Sequence, residues 1–203
     1  MYGNLKKKYG QNFLIDDNVL RKINKLISSE KLKILEIGPG DGRLTDHIIN
    51  TRPSKFTIIE IDSDLINYLK KKYENIKFIK IINNDILNQK INEKYDLIIS
   101  NLPYNISSQI LVKFSVMKKL PEKLIFMFQK EFAERLIDKK LNSINSLVNC
   151  FYDVKFNFNV GKNCFRPIPK IDSSVLTLTK KTKPLLKNEE IEDFINFKRK
   201  LFS

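Results

Sequence analysis

Asn101-Leu102-Pro103-Tyr104 follows an apolar run, Tyr95-Asp96-Leu97-Ile98-Ile99-Ser100, that reads as a buried strand. An amide acceptor, a rigid turn and an aromatic ring at this spacing suit one task, the handling of an aromatic amine. Such an amine is a poor nucleophile because its lone pair is delocalised into the ring. A site that alkylates it must accept its N–H groups, hold the ring flat and aim the nitrogen at an electrophilic carbon. The Asn101 side chain offers one acceptor, and the backbone carbonyl of Leu102 or Pro103 offers a second. Pro103 fixes its own φ and restricts its predecessor. Tyr104 offers a face for base stacking, a contact worth about 1–3 kcal/mol. The competing reading is an ordinary strand-to-helix turn, with Pro ending the strand and Asn or Ser capping the next helix.

Three further strand ends carry polar or glycine residues. Leu32-Lys33-Ile34-Leu35-Glu36-Ile37 runs into Gly38-Pro39-Gly40-Asp41-Gly42-Arg43-Leu44-Thr45, a strand, glycine turn and helix start. Phe56-Thr57-Ile58-Ile59-Glu60-Ile61-Asp62 ends in an acid, Glu60, 22 positions beyond Gly38, where a carboxylate can accept both ribose hydroxyls of an adenosine cofactor. A third strand, residues 76–82, leads to Asn84-Asp85, and Asp85 can accept from an adenine amino group. Gly38, Glu60, Asp85 and Asn101 thus fall at the ends of successive strands, expected to converge on one sheet edge. The dinucleotide fingerprint would need glycine at position 43, where Arg43 stands. A cofactor without phosphate, S-adenosylmethionine, therefore fits better.

The elements that must position these residues are those of a doubly wound α/β domain. A helix is expected over residues 17–28, with Asp16 or Asp17 as N-cap and Val19, Leu20, Ile23, Leu26 and Ile27 on its apolar side. Beyond Asn101, a helix should cover residues 106–119, a strand 123–129, helices 130–139 and 143–151, and two closing strands 154–160 and 174–180. Phe165 lies between those strands in a proline-stiffened loop, Cys164-Phe165-Arg166-Pro167-Ile168-Pro169-Lys170. It reads either as an anchor packed on the core or as the second face of a stacking sandwich for a flipped base.

Composition narrows the class. A chain of 203 residues with 42% hydrophobic content suits one folded domain, or one domain and a fragment of another. No apolar run approaches the roughly 18 residues of a membrane span, and the basic start, Met1 to Lys8, lacks the apolar region of a signal peptide, so a cytoplasmic protein is expected. Cys150 and Cys164 form no metal spacing and His47 is the sole histidine, so no metal site is expected. The net charge of +14 favours a polyanionic partner. However, 31 of the 37 basic residues are Lys, in a chain also rich in Asn and Ile, so compositional bias competes as the source of the charge.

Gln11-Asn12-Phe13-Leu14, Glu36-Ile37-Gly38-Pro39-Gly40 with Gly42 and Leu44-Thr45, Asn101-Leu102-Pro103-Tyr104-Asn105-Ile106-Ser107, Gln129-Lys130-Glu131, and Phe165-Arg166-Pro167-Ile168-Pro169-Lys170-Ile171-Asp172-Ser173 together resemble the ribosomal RNA adenine N6,N6-dimethyltransferases of the KsgA type. The likeness runs from about residue 7 to 182. The erythromycin-resistance methyltransferases share the plan, but Leu102 and the Asn105-Ile106-Ser107 continuation look more like the small-subunit enzymes.

The resemblance implies a Rossmann-like class I methyltransferase fold, a seven-stranded mixed sheet with helices on both faces. It implies transfer of methyl groups from S-adenosylmethionine to N6 of two adjacent adenosines near the 3′ end of small-subunit ribosomal RNA. Asn12, Leu14, Gly38, Gly40, Glu60, Asp85 and Asn101 would line the cofactor site. Asn101, Pro103 and Tyr104 would handle the base, with Phe165 helping to clamp it. The implied partner is small-subunit RNA in a pre-30S particle, met by a monomer with no membrane contact. Family members carry a C-terminal helical domain, of which residues 183–203 read as a remnant beside a methyltransferase domain over 1–182. A shorter, Lys-rich stretch at 135–146 also departs from the pattern. The rival from another class is a non-catalytic assembly or nucleic-acid-binding relative, but such a protein is expected to have lost Asn101, Glu60 or Asp85, and all three are present.

Overall fold

The computed structural model describes residues 11–27 and 31–202. The basic arm at 1–8 and the expected helix end at Ser28 lie outside the described residues. In chain order the elements are β1 (Phe13–Leu14), α1 (Asp17–Asn24), β2 (Lys33–Ile37), α2 (Arg43–Ile49), β3 (Lys55–Glu60), α3 (Ser63–Lys72), β4 (Ile79–Asn83), β5 (Leu97–Asn101), α4 (Ser107–Ser115), β6 (Lys123–Gln129), α5 (Lys130–Ile137), α6 (Asn145–Phe151), β7 (Tyr152–Val160), β8 (Phe165–Arg166), β9 (Ser173–Lys180) and α7 (Ile191–Leu201).

Seven strands form one mixed sheet in the order β4-β3-β2-β5-β6-β9-β7, and β1 pairs with β8 in a separate two-stranded ribbon. The five strands from β4 to β6 are parallel, while β9 runs antiparallel to both β6 and β7. Parallel strands covered on both faces should be apolar throughout. Accordingly β2, β3, β5 and β6 bury nearly every residue, whereas the edge strands β4 and β7 are mixed.

Alternate side chains on each strand enter opposite cores. Leu35, Ile98, Phe126 and Phe128 join α4, α5 and α6 through Leu111, Phe114, Leu136 and Val148. Ile34, Ile58, Leu97 and Ile99 join α1 and α2 through Leu20, Ile23, Leu44 and Ile48. The strand order reverses between β2 and β5. In such sheets the crevice outside the carboxyl ends at this reversal is where ligands bind. The Gly38 turn leaves β2 there and the Asn101 turn leaves β5 there.

Local chemistry sets the ends. Asp16, not Asp17, caps α1, its Oδ1 accepting from Val19 N at 3.0 Å. The helix expected over 130–139 stops at Ile137, because Asp138 is extended and its Oδ1 accepts from Lys140 N at 3.0 Å. The helix after Asn101 stops at Ser115 instead of 119. α7 rests on the first core through Ile191 and Phe194.

Candidate active site

A cavity of about 980 Å³, counted out to open solvent, lies at the carboxyl edge and is lined by residues from the ends of β1, β2, β3, β4 and β5. It gathers Asn12, Leu14, Gly38, Gly40, Glu60, Asp85, Asn101, Pro103 and Tyr104. The convergence expected from the strand ends is therefore present.

The glycine turn forms the floor. Gly38 has φ +61°, and a Cβ built there would meet nothing within 4 Å, so the backbone borders space that a ligand can fill. Gly40 is constrained from the protein side, because a Cβ would fall 2.7 Å from Cδ1 of Phe13. Phe13 is thereby seated directly on the turn, and β1 closes over the cavity.

Glu60 is held by its own turn. Its Oε1 accepts from the backbone N–H groups of Ile61 and Asp62, each at 2.9 Å, while Oε2 has only a long contact of 3.4 Å from Gly40 N. The anchored oxygen orients the carboxyl, and Oε2 is the oxygen left to take hydroxyl donors. Burial raises the Glu60 pKa against the lowering effect of those N–H groups. Asp85 caps its turn, with Oδ1 accepting from Leu87 N at 2.8 Å and Oδ2 from Asn88 Nδ2 at 3.4 Å. Asp62 caps α3 and also accepts from Gln11 Nε2 at 3.0 Å, tying the segment before β1 to the far wall.

Asn101 donates its amide nitrogen to the backbone carbonyl of Asn12 at 2.8 Å. This contact assigns the amide orientation, since a carbonyl can only accept. Oδ1 is then the atom that Asn101 can offer to an amine. Ser100, just before it, donates from Oγ to Ile37 O at 2.6 Å, bolting the end of β5 to the end of β2. Tyr104 is half-buried, and its hydroxyl is 2.7 Å from Ser173 Oγ at the start of β9. Desolvation raises its pKa, so the phenol is neutral at physiological pH.

Phe165 is the site residue that the structure does not bring to the cavity wall. It is fully buried, pairs with Leu14 across the β1–β8 ribbon and packs in the second core. Of the two readings open for it, the anchor matches this position. Phe165→Ala is expected to cost about 3–5 kcal/mol of stability, measurable by denaturant unfolding. A loss under 1 kcal/mol would mean that the ring is not packed as described.

Glu36 is a cavity residue that the sequence reading passed over. It lies on β2, is 1% exposed and accepts from Thr45 Oγ1 at 2.6 Å. Desolvation pushes its pKa up to about 8. The available signal was a lone acid inside the apolar run Lys33-Ile34-Leu35-Glu36-Ile37. Because the folded pKa lies above the ordinary 4.5, the folded state holds this proton more tightly. Its stabilisation is full below about pH 4.5 and is lost as pH rises through about 8. The stability of Glu36→Gln relative to wild type should therefore rise between these limits and level off above them. A pH-independent difference in thermal midpoints would contradict the burial of an ionisable carboxyl here.

Fold and cavity together define a Rossmann-like methyltransferase, with the floor and acidic wall suited to S-adenosylmethionine. Comparison with known proteins makes this specific. A family model described as ribosomal RNA adenine dimethylase matches residues 3–203. The ribosomal RNA small subunit methyltransferase A of Mycoplasma capricolum subsp. capricolum is 40% identical over 210 residues, spanning 98% of this chain and 78% of its own. Its counterpart in Mycoplasmopsis pulmonis is 38% identical over 181 residues, 87% of this chain and 71% of its own. Among solved structures, a dimethyladenosine transferase from Plasmodium falciparum superposes with a TM-score of 0.84 at 30% identity, covering 94% of this chain and 70% of that one. The 23S rRNA methyltransferase ErmE gives 0.78 at 26% identity, covering 92% and 77%. The chain belongs to the ribosomal RNA adenine dimethylase family. It is an S-adenosylmethionine-dependent methyltransferase.

Proposed function

We propose that this enzyme transfers methyl groups from S-adenosylmethionine to N6 of two adjacent adenosines in the 3′-terminal hairpin of small-subunit ribosomal RNA, giving N6,N6-dimethyladenosine. The observation that carries the chemistry is the Asn101 tether to Asn12 O, which commits the amide nitrogen and reserves Oδ1 for the amine. Gly38, Gly40, Glu60 and Asp85, with Asn12 and Leu14 above them, are the residues that would hold the cofactor. When bound, it supplies a methyl group on a sulfonium, an intrinsically good leaving group. The protein's remaining task is to orient and polarise. Asn101 Oδ1 takes one N–H of the adenine amine and a carbonyl of Leu102 or Pro103 takes the other, drawing the nitrogen toward tetrahedral geometry. Pro103 keeps those acceptors on a stiff turn. Tyr104, fixed through Ser173, presents the ring against which the base is held.

Small-subunit RNA is preferred as substrate over large-subunit RNA because the small-subunit relatives reach 38–40% identity, against 26% for the 23S enzyme of the same fold. The enzyme acts as a monomer on a pre-30S particle in the cytoplasm. Among the described residues, no helix is long and apolar enough to cross a membrane. The surplus of positive charge supplies phosphate contacts, so binding should weaken steeply with salt.

Labelled methyl transfer to unmodified small subunits, their naked RNA and large-subunit RNA tests the assignment. Label in the assembled small subunits and not in large-subunit RNA is expected, label on the naked RNA as strong as on the subunits would count against the particle as substrate, and preferential labelling of large-subunit RNA would overturn the assignment. Tyr104→Ala should lower transfer by about tenfold or more, from loss of a stacking contact of about 1–3 kcal/mol, with little change in cofactor affinity. An unchanged rate would remove the stacking role.

A further inference from the structure

Glu36 lies in the cavity wall and has no part in the scheme above. The donor that reaches it, Thr45 Oγ1, is neutral. Around it stand Asp46 on α2, Glu60 on β3, Lys72 at the end of α3 and Tyr73 at its C-cap. Lys72 is committed to Asp46, with Nζ 2.7 Å from Oδ2. Tyr73 donates to the same carboxylate at 2.8 Å, and burial holds its hydroxyl in the neutral form. The cavity wall also contains Asp41, Arg43 and Asp85, and Arg43 is paired with Asp41 at 2.8 Å. The nearby cations are thus each matched by a carboxylate, while Glu36 and Glu60 share one desolvated space. Two like charges in such a space oppose each other, and the less solvated carboxyl keeps its proton. Glu60 has two short backbone N–H bonds and Glu36 has none of that kind.

The cofactor and its product differ in one respect that matters to such a group. S-adenosylmethionine has a sulfonium charge, and the thioether left after methyl transfer does not. We infer that Glu36 is a proton store linked to the charge of the bound cofactor: arrival of the sulfonium drives its proton into solvent, and loss of the methyl group lets a proton return. The carboxyl then favours the charged cofactor over the neutral product, and it does so more strongly as pH rises. The inference rests on the cofactor being S-adenosylmethionine.

Calorimetric titration of the full chain with S-adenosylmethionine and with S-adenosylhomocysteine, in two buffers of different ionisation enthalpy near pH 7, counts the protons released. The sulfonium acidifies the ammonium of its own amino-acid end relative to the product, so the ligands' own protons are removed by subtracting the same difference measured with Glu36→Gln. S-adenosylmethionine should release up to one proton more than the product. The ratio of the two affinities should rise by up to about tenfold per pH unit and level off above the Glu36 pKa. In Glu36→Gln that extra proton and its share of the pH dependence should vanish, leaving only the contribution of the ligands' own ammonium groups. A difference in proton count that is the same in the wild type and in Glu36→Gln would overturn the inference. Should that variant not fold, Thr45→Ala serves instead. Loss of the hydroxyl that favours the ionised carboxyl must move the levelling-off to higher pH, and an unchanged profile counts against the linkage. Failure of the wild type to bind either ligand would refute the cofactor assignment and this inference together.

Discussion

Asn101→Ala is expected to lower methyl transfer by at least about a hundredfold while cofactor affinity stays within about tenfold, roughly 1.4 kcal/mol. The two effects separate because the amide does two unequal things. Its nitrogen holds Asn12 O, a neutral hydrogen bond worth about 0.5–1.5 kcal/mol net. Its oxygen meets the amine as positive charge develops on nitrogen, so that contact strengthens in the transition state. Asn101→Asp retains an acceptor oxygen but loses the donor to Asn12, so it should keep more activity than the alanine variant. Single-turnover rates with saturating RNA, set beside equilibrium cofactor binding, check this. If turnover and binding fall together, Asn101 is a cofactor ligand and not the group that polarises the base.

Glu60→Gln should weaken cofactor binding by about a hundredfold, roughly 2.7 kcal/mol, with a smaller effect on the rate at saturating cofactor. Gln keeps an acceptor oxygen for Ile61 N and Asp62 N, so the turn after β3 stays satisfied. What is lost is a charged acceptor for hydroxyl donors, a contact typically worth about 1.5–3 kcal/mol. Titration calorimetry gives the number directly. Wild-type affinity in Glu60→Gln would mean that the ribose is not held from this wall.

Much of this site was legible because period and punctuation agree. Apolar runs of strand length ended at Gly38, Glu60, Asn84-Asp85 and Asn101, and a parallel sheet places all such ends on one edge. Both ends of β6 (Lys123–Gln129) are legible in the sequence, since the turn at Pro121 and the helix former Lys130 bound it on either side. The β1–β8 ribbon was not legible. Two-residue strands about 150 positions apart leave no periodic trace, and only the folded chain brings Leu14 against Phe165. For the same reason Phe165 could be assigned to a loop but not to the core or the cavity. The sheet order, with β9 between β6 and β7, is a property of tertiary pairing that no local window contains. Glu36 was hidden for a different reason: an acid within a strand reads as a surface position until burial on both faces is known.

The account stands most directly on the product. Small subunits lacking the modification, incubated with S-adenosylmethionine and this enzyme, can be digested to oligonucleotides, whose masses locate the methyl groups, and to nucleosides, whose chromatography against standards identifies the methylated atom. N6,N6-dimethyladenosine at two adjacent positions, absent from the Asn101→Ala reaction, is the predicted result. Bound cofactor with no methylated adenosine, or methylation at an atom other than N6, would contradict it.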